Sequence, residues 1–134
     1  MLRSRTSLTV LLVSALVLLM GARTVLLTDP APIPVPSGVA LKDVGKAIKT
    51  ALAGRTWVIT EDNPGKIVST LNLRTHMAKI QVAYDEKMIE IKYLDSGDLD
   101  YEEKPDGRYI HRNYLTWIQN VVGDISRNLQ LVAP

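Results

Sequence analysis

Two histidines, His76 and His111, six carboxylates gathered between residues 95 and 106, and a few serine and tyrosine hydroxyls are the side chains of this 134-residue chain that could do chemistry. Neither histidine has a second His, Asp or Glu three or four residues away, the spacing that sets two metal ligands on one helical face. The acids of residues 95–103 enclose Gly97 and offer the oxygen atoms that calcium prefers. They lack the alternating Asp run closed by a Glu at its twelfth position, and read as a solvated acidic loop. Ser69, Ser96 and Ser126 stand outside any Gly-x-Ser-x-Gly turn, no glycine run is built to cradle phosphate, and the chain has no Cys to supply a thiol, a disulfide or a lipid attachment point. No cofactor or metal is expected. Tyr101, Tyr109, His111 and Arg112 are the candidate binding residues, since they combine phenol, imidazole and guanidinium groups where a polar loop meets the last helix. His76, in an expected hairpin turn, needs no function there.

Charge narrows the partners. The chain carries 16 Lys plus Arg against 14 Asp plus Glu, and the excess is Arg3 and Arg5 alone. Beyond residue 7 the charges balance, whereas a nucleic-acid binder needs a cationic surplus to neutralise phosphates, so no nucleic-acid partner is expected. Those two arginines precede a 15-residue run, 8–22, in which only Thr9, Ser14 and Gly21 are not hydrophobic. A basic segment leading into such a run is the plan of a secretory signal, and an ordinary spanning helix needs about 20 apolar residues. Continuing through Val25, Leu26 and Leu27 reaches that length only by enclosing Arg23. Residues 1–28 therefore read as either a cleaved signal peptide or an uncleaved signal anchor, and both place the rest of the chain on the periplasmic side of a cell envelope.

These residues must be positioned by the elements between. Prolines at 30, 32, 34 and 36 fix alternate φ angles, so residues 29–37 read as an extended stalk with a reach of roughly 28 Å. The globular part is expected over residues 38–134. An amphipathic helix over 39–53 carries Val44, Ile48, Ala51 and Leu52 on one face and ends at Gly54. Four strands come next, around Trp57–Ile59, 66–74, 78–84 and 89–93, with Ile67, Ser69, Leu71 and Leu73, then Ala78, Ile80, Val82 and Tyr84, then Ile89, Ile91 and Tyr93 pointing inward. Short connections make neighbours antiparallel. After a loop over 95–112, Asn113 can cap a final helix with Tyr114, Trp117, Ile118, Val121, Ile125 and Leu129 in one stripe. The expected fold class is α+β: a two-layer domain in which a four-stranded antiparallel meander carries N- and C-terminal helices on one face.

Val44-x-x-Ala-Ile48, Trp57 with the later Pro-Gly-Lys-Ile67, Leu71-x-x-Arg-x-His76, Ile89-x-Ile-x-Tyr-x-x-Ser96 and above all Ile110-His-Arg-Asn-Tyr-x-x-Trp-Ile118 resemble a group of small, functionally uncharacterised lipoproteins of Gram-negative bacteria. The resemblance spans most of residues 40–126 and implies an envelope location and a compact α+β domain; no activity comes with it. Where that group carries its lipidated Cys, this chain has Ala22. The sequence-level expectation is a non-enzymatic, exported and membrane-tethered interaction module, its partner another envelope protein met through the uncovered sheet face or the 95–112 loop. The competing expectation is a small-ligand binder, for a cell-wall or lipid fragment, with its site between sheet and last helix near Tyr101, Tyr109, His111 and Arg112.

Overall fold

In the computed structural model the described residues are 23–134, and the basic and apolar segments of residues 1–22 lie outside them. The elements are β1 (Thr24–Leu26), β2 (Ile33–Pro34), α1 (Leu41–Gly54), β3 (Val58–Asn63), β4 (Lys66–Leu73), β5 (His76–Tyr84), β6 (Met88–Gly97), β7 (Glu102–Lys104), β8 (Gly107–His111) and α2 (Arg112–Val132). The expected meander is present as β3 to β6, antiparallel throughout, inside a five-stranded sheet of order β2-β6-β5-β4-β3. A second, three-stranded sheet has the order β1-β8-β7. The fold is mixed α+β. Among the described residues no helix is long and apolar enough to cross a membrane.

Alternation along the strands decides which face is buried. Ile67, Val82 and Ile91 form one row across β4, β5 and β6, and Leu71 and Ala78 lie in another. All are buried in one cluster with Val44, Ala47, Ile48, Ala51 and Leu52 of α1 and Ile118, Val121, Ile125 and Leu129 of α2. Both helices therefore cover the same face. The opposite face holds rows such as Thr70, Lys79 and Asp95, or Val68, Gln81 and Lys92, with no helix over them. The Tyr84 side chain reaches over α1 so closely that a Cβ at Gly45 would lie 2.7 Å from its hydroxyl, so any larger residue there would displace the phenol.

Three expectations need correction. The proline-rich segment is extended but is no free stalk: Ile33 is buried and pairs with Ile89, the Val35 amide donates to the Lys87 carbonyl at 2.9 Å, and the Asp29 carboxylate accepts from the Tyr93 amide at 3.1 Å. Residues 24–26, read from sequence as the tail of the apolar run, form β1, in which Thr24, Val25 and Leu26 pair with His111, Ile110 and Tyr109. Strands of two or three residues are too short for alternation to reveal them. The 95–112 loop, finally, holds the rest of β6 and the hairpin β7–β8, turned through Pro105 and Asp106 ahead of Gly107, whose φ is +145°. The Pro-Asp-Gly triplet is a turn signal, masked by the surrounding charges.

Both helix closures also differ from expectation. The N-cap of α2 is His111, whose Nδ1 accepts from the Asn113 amide at 3.1 Å, so Asn113 lies inside the helix. Helix α1 ends at Gly54 as expected, but Gly54 is not the left-handed residue that closes it. The stop is Thr56, with φ +65°, whose amide donates to the Ala53 carbonyl at 3.1 Å while the Trp57 amide donates to the Leu52 carbonyl at 3.0 Å. This is a Schellman closure with threonine where glycine is usual, and it delivers Trp57 onto the core.

Candidate functional site

The four residues singled out from sequence do not converge. Tyr109 shares a face of the small sheet with its cross-strand partners Leu26 and Glu102, and its hydroxyl donates to Asp106 at 2.6 Å while Lys104 Nζ lies 4.7 Å from the ring centre. Tyr101 turns toward the core instead. It stacks on Tyr93 at 5.0 Å between ring centres, Tyr93 meets Tyr114 edge-on at 5.6 Å, and the Tyr101 hydroxyl donates to Glu103 at 3.0 Å. His111 is occupied as a helix cap. Arg112 opens α2 on the exposed surface, and its amide donates to the Arg23 carbonyl at 2.9 Å. Burial first and the Glu103 bond second raise the Tyr101 phenol above its ordinary pKa, the Asp106 bond foremost raises that of Tyr109, and burial raises Tyr93 and Tyr114. The phenols of Tyr101 and Tyr109 are paired with acids, that of Tyr93 with the Ser96 hydroxyl at 2.6 Å, and that of Tyr114 is buried, which is the state of a packed corner.

Ser69 is equally committed. It is fully buried, and its hydroxyl donates to the Val58 carbonyl at 3.0 Å, fastening β4 to β3.

A different end of the molecule remains open. Trp57, Leu71, Leu73 and Trp117 line a hollow of about 250 Å³ between the end of β4 and the first turns of α2, rimmed by Arg55, Thr56 and Asn120. Trp57 forms its floor, 3% exposed, whereas Leu73, expected inward with its strand neighbours, is 44% exposed because neither helix reaches over it. The charge beside the rim is drawn together around one carboxylate. The Arg55 guanidinium grips Asp124 through Nε at 2.7 Å and Nη2 at 3.3 Å, and Arg127 Nη1 joins the same carboxylate at 3.2 Å. That grip holds the Asp124 carboxyl below its ordinary pKa, with the Arg55 hydrogen bond as the largest cause.

Backbone strain gathers nearby. The non-glycine residues with positive φ among those described are Thr56 (65°), Arg74 (57°), Asp98 (54°) and Asp100 (53°). Thr56 is on the rim, and Arg74 lies in the turn directly after Leu73. Next to that turn the Thr75 hydroxyl bonds to the Asp98 carboxylate, and His76 Nδ1 stands 2.6 Å from the Asp98 carbonyl oxygen, which can only accept. The His76 proton therefore sits on Nδ1, and its ring centre lies 6.3 Å from that of Trp117. Residue type assigns Trp57 and Trp117 to the core; only the spatial meeting of a helix end, a strand end and α2 shows that they border one hollow. Left-handed conformations at residues with a Cβ cost about 1–2 kcal/mol each, and such strain collects at binding and catalytic sites.

Chemically the hollow can take an apolar group: its walls are indole and leucine, and the guanidinium on its rim is engaged by Asp124. No protein-family model matches the chain, and comparisons with curated proteins and with solved structures return no match either. What fold and site together define is a mixed α+β domain with a tyrosine-packed corner and a tryptophan-lined hollow on either side of the start of α2.

Proposed function

We propose that the protein is an exported, membrane-tethered domain of the cell envelope that catalyses no reaction and binds another envelope protein by taking one of its apolar side chains into the hollow between Trp57 and Trp117. The observation that carries this reading is the hollow itself: two tryptophans and an exposed leucine around about 250 Å³, with a polar rim. Interfaces concentrate their energy in such places, where an aromatic pocket is ringed by polar groups that exclude water. Its size favours a side chain over a free ligand, because small-molecule sites usually enclose about 300–1,000 Å³, while a cavity of about 150 Å³ already holds a benzene ring. The export and tethering in this proposal rest on the basic and apolar segments at residues 1–22 and on the resemblance to envelope lipoproteins.

The test is in-cell photo-crosslinking from Leu73, with Lys79 on the uncovered sheet face and Tyr109 on the tyrosine side as comparison positions. One recurrent protein adduct from Leu73, lost when Asn120→Trp fills the hollow in a protein with unchanged circular dichroism and melting, is the expected result. Adducts that arise only from Lys79 or Tyr109, or that persist undiminished in Asn120→Trp, would remove the hollow from the interface.

A further inference from the structure

Accepting that the domain is tethered, we infer that it lies flush on the phospholipid surface, with Arg23, Thr24, Arg112 and Asn113 at the level of the headgroups. Where the folded chain starts carries the argument. Arg23 already accepts a hydrogen bond from Arg112, at 2.9 Å, and Thr24 is already paired with His111, so the chain is held from its first described residue. Two residues span at most about 7 Å, which is therefore the greatest distance between the Cα atoms of Ala22, the last of the apolar run, and Thr24. The headgroup layer of each leaflet is itself about 5–8 Å deep. An apolar run inserted as far as Ala22 therefore brings the edge of β1 and the first turn of α2 into that layer.

No slack is available elsewhere. The prolines that suggest a spacer come after β1, and Asp29, Ile33 and Val35 are fastened to β6 and to the residue before it. The surface at this end has Arg23 and Arg112 exposed, with Asp98 and Asp100 exposed on the turn whose Leu99 carbonyl accepts from the His111 amide at 2.8 Å. Its charge is mixed, so the covalent tether sets the placement, with little help from attraction to anionic lipid. Trp117 comes five residues after Arg112, about 8 Å along the helix, so the hollow also lies near the bilayer and the side chain that fills it must be presented there.

The chain has no Cys, so single cysteines can be introduced and labelled. The full chain is reconstituted in phosphatidylcholine vesicles doped with a headgroup-attached nitroxide, and a fluorophore is placed at Asn113→Cys. A second preparation carries a Gly/Ser spacer of about 12 residues between Ala22 and Arg23, adding a root-mean-square span of about 19 Å. The expected result is quenching of the Asn113→Cys label that falls severalfold when the spacer is inserted. Equal quenching with and without the spacer, in protein that floats with the vesicles, overturns the flush placement alone. Protein that fails to float with the vesicles overturns the tethered reading, and this inference with it.

Discussion

Around the first turns of α2 the chain gathers its aromatic residues in two groups that treat their polar atoms in opposite ways. On one side Tyr93, Tyr101 and Tyr114 stack edge and face, and Tyr101 and the nearby Tyr109 each donate a phenolic hydrogen bond to an acid two or three residues away in sequence. On the other, Trp57 and Trp117 face a hollow whose charged neighbours, Arg55 and Asp124, are paired with one another. The tyrosine corner uses its aromatic surface for cohesion between the two sheets and α2. The tryptophan side leaves part of its surface unspent. Residue type alone points the other way, since tyrosines in a polar loop look like contact residues and tryptophans beside apolar neighbours look like core.

The sharpest way to break this contrast is to truncate one aromatic from each side. Tyr114 is 2% exposed, so Tyr114→Ala should cost about 3–5 kcal/mol in urea unfolding. Trp117→Ala, at a half-buried position bordering an existing void, should cost roughly 1–2 kcal/mol and abolish the Leu73 crosslink. Equal losses would mean that the tryptophan side is as tightly packed as the tyrosine side and has nothing to offer a partner. Thr56→Gly should stabilise by about 1 kcal/mol, because it removes the Cβ from a left-handed helix stop, and the gain should appear as a raised Tm by calorimetry. A stabilised variant that loses its crosslink would show that the strained threonine shapes the rim for binding. Leu73→Lys should change stability by no more than about 0.5 kcal/mol while abolishing co-purification of the partner that the Leu73 crosslink identifies, as expected of an exposed apolar contact residue.

The smallest effect should be that of pH. The folded pKa of Asp124 is lowered, so its contribution to stability is complete above the ordinary carboxylate pKa of about 3.9 and is lost as the pH falls through the lower, folded value. Asp124→Asn should therefore be less stable than the parent chain at pH 7, and the two should converge in urea titrations as the pH falls through the lowered, folded pKa of Asp124. A gap that persists there would assign the role of Asp124 to shape.

The meander and both helices were legible in the sequence because β4, β5 and β6 alternate cleanly and each helix carries a continuous stripe. The small sheet was not. Its strands of three and five residues mix Glu, Lys and Arg with Tyr and Ile, and β1 continues an apolar run that already had another reading. Of the candidate site, Tyr101, Tyr109, His111 and Arg112 were visible as chemistry but not as geometry, since the β7–β8 register that sets Tyr109 against Glu102 and Leu26 is a tertiary fact. The hollow was invisible for a related reason: it lies where α1 stops, β4 turns and α2 begins, three places far apart in sequence.

The proline-rich segment, finally, has a consequence for solubility. A sheet edge with free amides invites another chain to add a strand and so to aggregate. Here Ile33 and Pro34 occupy the β6 edge, and their flanking prolines have no amide to donate to a newcomer. At the far edge β3 departs from regular register between Ile59 and Glu61 and carries Glu61 and Asp62. Both edges of the five-stranded sheet thus carry features that oppose strand addition, a safeguard for a domain that keeps an apolar hollow exposed.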